Sequence, residues 1–211
     1  MVCRMGEFAS EVGAALYARA GVDPERLPRR RTIEIALRLH GGDCIVLQPR
    51  ACAEATVAAV AGRQKIVIRR GTPGPRANWL VARMLVRLEL ARRGIRSERI
   101  ECAGAAWLVA PTETFLSHVD SHTWNLDSGD IERVAEMFAV PCTCAMMRIP
   151  EVGGPAVAVL TPQRVYKRGQ QLSWLDDDYL RTLAARRQLR SVRRLEIPDE
   201  PGRVALLARV A

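Results

Sequence analysis

The chain has 211 residues, 48% of them apolar, so it can bury a sizeable core, and disorder is excluded as its dominant state. Its 32 basic and 23 acidic residues leave a net charge of +9, carried almost wholly by arginine, since Lys65 and Lys167 are the only lysines; this permits anionic partners without selecting one. No run reaches the roughly 18 to 20 apolar residues of a membrane helix, and Met1-Val-Cys-Arg-Met-Gly-Glu7 lacks the apolar centre of a signal peptide, so a cytoplasmic, non-membrane protein with reduced cysteines is expected.

Over residues 7–20, Phe8, Val12, Ala15 and Leu16 recur at helical spacing against Glu7, Glu11 and Arg19, which predicts an amphipathic helix. A proline-punctuated loop over 23–28 leads to a second helix over 32–40, ended by Gly41-Gly42, with His40 placed to complement the helix dipole as a cation. Residues 43–48 read as a short strand. Residues 55–60 and 64–69, separated by Ala61-Gly62-Arg63, read as a β-hairpin. Gly71-Thr-Pro-Gly-Pro-Arg76 breaks the chain before a long helix over 77–93, whose apolar set Trp79, Leu80, Ala82, Met84, Leu85, Leu88 and Leu90 predicts a central, buried position.

A further helix over 97–109 stops ahead of Pro111. Asp127-Ser-Gly-Asp130 caps another over 131–140, followed by a turn at Pro141 and a short helix through Met147. The tail reads as a strand over 156–160, a helix from the Ser173-Trp-Leu-Asp-Asp-Asp-Tyr179 cap to about Leu189, and a hairpin of 191–197 and 203–210 around Pro198-Asp-Glu-Pro-Gly202.

Three blocks stand in a recognisable order. Trp79-Leu80-Val81-Ala82 leads into Arg83, Met84 and Arg87; Glu98-Arg-Ile-Glu-Cys-Ala-Gly-Ala-Ala-Trp-Leu-Val-Ala-Pro111 follows; then come Val134-Ala-Glu-Met-Phe-Ala-Val-Pro141 and Met147-Arg-Ile149. Over residues 8–150 this resembles the ImmA/IrrE family of zinc metallopeptidases, in which a hairpin precedes a helix of the form R-F-T-x-A-H-E-x-x-H. Arg83, Met84 and Arg87 fall where that motif has histidine, glutamate and histidine. Glu98 falls at the third zinc ligand, Gly104 replaces an aromatic residue, and Glu101 replaces an alanine. The third block corresponds to a helix-turn-helix-like stretch. The resemblance implies an α+β, zincin-like scaffold with a small β-sheet and hairpin over residues 1–150, and a strand–helix–hairpin extension over 151–211.

The family's reaction needs two neutral imidazoles one helical turn apart, an oxygen ligand, and a glutamate to take a proton from zinc-bound water. Arg83 and Arg87 stay protonated and repel a cation, and Met84 can neither move a proton nor act as a hard ligand. Active relatives are regulators that cut or engage transcriptional repressors. The expectation is therefore a catalytically inactive metallopeptidase-like protein without a cofactor, acting as a protein-binding regulatory or assembly component. Its partner would be a co-encoded regulator, with an extended segment along the groove-edge strand. Arg83 and Arg87 share a helix face; opposite Glu98 or Glu101 they form either a buried ion-pair cluster or a pocket for an anion.

Two other readings compete. Arg181, Arg186, Arg187, Arg190, Arg193 and Arg194, on a helix leading into a hairpin, fit a nucleic-acid-binding transcriptional regulator, although Asp176-Asp177-Asp178 opens the same helix and dipole pairing explains much of the pattern. His118 and His122, four apart with Asp120 between them, are the candidate ligands of a metal-dependent hydrolase with relocated ligands, in a stretch whose polar residues favour a loop. Cys142-Thr-Cys144 has poor spacing for a zinc knuckle, and neither a G-x-S-x-G elbow nor a P-loop is present.

Overall fold

The computed structural model describes residues 2–25, 31–49, 53–60, 62–119, 127–152, 154–186, 192–198, 200 and 202–208. The protein is of mixed α+β class. It divides into two compact units, Met1–Phe115 with Phe138–Val140, and Leu116–Met137 with Pro141–Ala211.

The first unit holds helices α1 (Val2–Ala20) and α2 (Arg31–His40), strands β1 (Ile45–Gln48), β2 (Ala55–Val60) and β3 (Arg63–Arg69), helices α3 (Gly74–Arg92) and α4 (Glu98–Val109), and most of α5 (Thr112–Leu116). Helix α3 is central, as its apolar pattern predicts: Leu80 to Ala82 and Met84 to Val86 are buried, and α1, α2, α4 and the sheet pack around it. It starts three residues earlier than the sequence suggested, because Pro75 sits in the first turn, where its fixed φ suits a helix and its missing N–H costs nothing. Gly94, at φ 70°, ends it, with Ile95 N–H donating to Leu90 O at 2.9 Å.

Two glycines let the helices close on one another. A Cβ on Gly13 of α1 would lie 2.3 Å from Trp107 Cε3 of α4, and one on Gly104 of α4 would lie 3.0 Å from Val86 Cγ1 of α3 and 3.5 Å from Ala9 O of α1. The Tyr17 hydroxyl then donates to Leu108 O at 2.7 Å, which locks α1 to α4. In the sheet, β3 is the middle strand, parallel to β1 (Ile45 opposite Ile66) and antiparallel to β2 (Ala55 opposite Ile68). Buried Asn78 on α3 accepts a short hydrogen bond from the Thr32 hydroxyl and donates to Ala139 O at 3.0 Å, holding Ala139 in the left-handed region at φ 49°.

The second unit carries most of α6 (Ser128–Phe138), then α7 (Cys142–Arg148), a 3-10 turn (Ile149–Val152), β4 (Ala156–Leu160), β5 (Val165–Arg168), α8 (Gln170–Ser173), α9 (Asp177–Ala185), β6 (Val192–Glu196) and β7 (Val204–Ala208). Its strands form an antiparallel sheet in the order β5-β4-β7-β6. Ala156, Ala158, Leu160 and Leu206 pack on one face against Leu172 of α8 and Leu180 and Leu183 of α9. The tail is thus richer than the expected strand, helix and hairpin. Strand β5 and helices α5 and α8, of four or five residues each, are too short to show a periodicity. Helix α9, capped by the Asp176 carboxylate on Asp178 N and Tyr179 N, ends at Ala185 instead of about Leu189, and Arg186 is already extended.

Candidate functional site

The residues at the peptidase-like positions meet on the seam between α3 and α4. Arg83 and Arg87 stand one turn apart on α3. Ser97 caps α4 by accepting from Ile100 N at 3.3 Å, which puts Glu98 and Glu101 in its first turn. Only Glu101 is buried: its side chain is 6% exposed, against 79% for Glu98. Its Oε1 accepts from Arg83 Nε at 3.0 Å and Arg87 Nη2 at 3.1 Å and lies 2.8 Å from Arg83 Nη2, while its Oε2 accepts from Arg87 Nε at 2.7 Å. Glu98 adds a longer contact to Arg83 Nη2, at 3.4 Å. Met84 is buried, and its sulfur lies 3.9 Å from Arg87 Nη1.

One carboxylate is therefore forked by two guanidiniums and ties α3 to α4. Of the two expected arrangements, the ion-pair cluster is present, centred on Glu101. Burial acts to lower the pKa of Arg83, but the electrostatic influence of Cys102 and the charge and hydrogen bond of Glu101 outweigh it and hold the pKa above its ordinary value. Arg83 is thus a fixed cation, and the Nε–H groups of both arginines are taken up by Glu101.

A second cluster, not singled out from the sequence, lies further along α3. Glu89, whose side chain is also nearly buried, meets Arg19 Nη1 at 2.5 Å, Arg93 Nε at 3.2 Å and Arg92 Nη1 at 3.3 Å. Arg93 continues to Glu11 at 2.9 Å and lies over the Phe8 ring, 5.7 Å from its centroid. The signal was available: Leu88-Glu89-Leu90 sets an acid within the apolar run of a helix expected to be buried, and such an acid needs partners. These cations also correct the reading of His40. Burial, then Arg19 and Arg92, lower its pKa, so at neutral pH it is an uncharged ring and not a cation at the end of α2.

Among the described residues, the C-terminal arginines do not share one helix. Arg181 on α9 donates to Thr161 O at 2.9 Å, Arg186 lies in extended chain after the helix, and Arg193 and Arg194 are neighbours on β6, where successive side chains point to opposite faces. Arg187 and Arg190 lie outside the described residues. Among the described residues, α9 ends at Ala185, and Arg193 and Arg194 lie on the first strand of the expected hairpin. His118 sits in the turn after α5, and His122 lies outside the described residues. Among the described residues, no group of three or more His, Cys, Asp or Glu side chains is arranged to hold a metal ion. No family model matches the chain, and no curated protein does.

Proposed function

We propose that the chain is a catalytically inactive relative of the ImmA/IrrE-type zinc metallopeptidases, built on a zincin-like scaffold, that acts as a protein-binding regulatory or assembly component. The observation that carries this reading is the Arg83–Glu101–Arg87 fork. The two helix positions that would present imidazoles to zinc carry permanent cations, and those cations are bound to an acid on the next helix. The fork supplies what a structural metal supplies, a link between α3 and α4, and supplies neither a Lewis acid nor a general base. On this reading, a scaffold without this chemistry is suited to binding.

The test is zinc analysis of the protein purified without chelator, beside an Arg83→His/Met84→Glu/Arg87→His variant. The native protein is expected to hold no stoichiometric zinc. The variant, with Glu98 at the third-ligand position that the resemblance implies, is expected to gain about one zinc per chain. Native protein that carries stoichiometric zinc and cleaves a co-encoded protein overturns the reading. A folded variant that takes up no zinc overturns the scaffold assignment.

A further inference from the structure

The surplus positive charge does not lie where the C-terminal arginine run suggests. The first unit has 19 basic and 11 acidic residues, a surplus of 8, and the second has 13 and 12, a surplus of 1, which together give the net +9. Within the first unit the imbalance is concentrated: from Ala55 to Leu88 there are seven basic residues and no acid. Four of the seven are held by acids from outside this stretch. Arg83 and Arg87 meet Glu101, Lys65 meets Asp43 at 2.7 Å, and Arg76 meets Glu54 at 2.6 Å. The other three, Arg63, Arg69 and Arg70, are exposed, and among the described residues their side chains have no ion-pair or hydrogen-bond partner.

Strand β3 fixes where these charges stand. It is the middle strand, hydrogen-bonded to β1 on one side and β2 on the other. Arg63, Lys65 and Arg69 are an even number of residues apart and so share one face, with Arg63 and Arg69 about 20 Å apart along the strand. Arg70 follows at the turn, where its N–H donates to Gln48 O at 2.9 Å. Glu54, paired with Arg69 through the backbone, does not cancel that arginine, because its carboxylate is taken by Arg76.

We propose that this row binds the phosphate backbone of a nucleic-acid duplex, without regard to base sequence. Guanidinium groups fork onto phosphate oxygens, and cations set at fixed intervals on a rigid strand suit a polymer that repeats its charge at fixed intervals. A reach of about 20 Å covers the rise of about six phosphates of one strand of a duplex. The location of the exposed aromatic residues separates a duplex from other polyanions. Single strands are held by bases stacked on aromatic rings, and lipid surfaces take up aromatic anchors beside the basic residues. Among the described residues the exposed aromatic side chains, Tyr166, Trp174 and Tyr179, all lie in the second unit. The inference stands on the charges of the first unit and does not depend on the peptidase-like reading.

Fluorescence anisotropy of a labelled duplex of mixed sequence, prepared as DNA and as RNA, tests it with the full chain in a series of KCl concentrations. Contacts from three arginines give a slope of about −2.7 in log Kobs against log [KCl], so affinity is expected to fall about 40-fold for a fourfold rise in salt. Arg63→Ala/Arg69→Ala/Arg70→Ala is expected to lose most of this slope and at least about tenfold in affinity at low salt, with an unchanged far-UV circular dichroism spectrum. Arg96→Ala/Arg99→Ala/Arg186→Ala removes the same charge from exposed arginines elsewhere and is expected to bind within about threefold of the wild type. A wild type that binds neither duplex at low salt overturns the proposal. So does a charge-matched control that loses as much as the row variant, because total charge and not position would then set the affinity. Polyglutamate or phosphatidylserine vesicles bound as tightly as the duplexes overturn the choice of partner.

Discussion

Replacing Glu101 by alanine should be among the most damaging single changes in the first unit. Breaking a buried ion pair by removing one partner costs ~3–5 kcal/mol, because the remaining charge stays desolvated. The fork moderates that figure. Arg87, with a side chain 46% exposed, can turn into water, whereas Arg83, at 19%, retains only the long contact to Glu98. The expected loss for Glu101→Ala is therefore about 2–4 kcal/mol. At roughly 2–4 °C per kcal/mol for a chain of this size, the melting temperature falls by about 4–16 °C. Glu98→Ala, at an exposed site, should cost about 0–0.5 kcal/mol. Arg83→Met/Glu101→Leu/Arg87→Met, which removes all three charges together, should come within about 1 kcal/mol of the wild type, since apolar packing can replace a buried ion cluster. Urea unfolding followed by circular dichroism measures all three. If Glu101→Ala were as mild as Glu98→Ala, or the triple variant as damaging as Glu101→Ala, the fork would not be the link between α3 and α4.

Gly104→Ala should cost roughly 1–3 kcal/mol through overpacking where α1, α3 and α4 meet, and Val86→Ala in the same chain should recover part of it, read as paired melting temperatures. Asn78→Ala should cost about 1–2 kcal/mol, because it removes the amide that donates to the Ala139 carbonyl and leaves the Thr32 hydroxyl with only the backbone oxygen of residue 78; a loss below about 0.5 kcal/mol in chemical denaturation would count against that role. His40 has a lowered pKa in the folded state, so below its unfolded value of about 6.5 the unfolded chain binds a proton that the folded chain resists. Its contribution is therefore complete above about pH 6.5 and is lost as pH falls toward the folded-state pKa, and His40→Gln should flatten this acid limb of the stability profile. An acid limb unchanged by His40→Gln would show that other groups carry it.

Local pattern alone determined the long helices and the first hairpin. Apolar residues recurring along α1 and around α3 reveal burial within a few turns of chain, and glycine and proline mark where the runs stop. The same reasoning showed that Arg83 and Arg87 share a face and that α4 carries acids in its first turn. It did not decide which acid meets them. That depends on how α4 is turned against α3, which is set by contacts far apart in sequence, Gly13 against Trp107 and Gly104 against Val86, and this rotation buries Glu101 while leaving Glu98 in solvent. The ring of arginines around Glu89 likewise exists only once α1 is docked beside α3. The helix carrying Arg181 was expected to run to about Leu189, whereas α9 ends at Ala185, because composition carries little information on where a helix stops. Periodicity along the chain is a short-range property, whereas the partner of a charged side chain is chosen by the packing of elements that are distant in sequence.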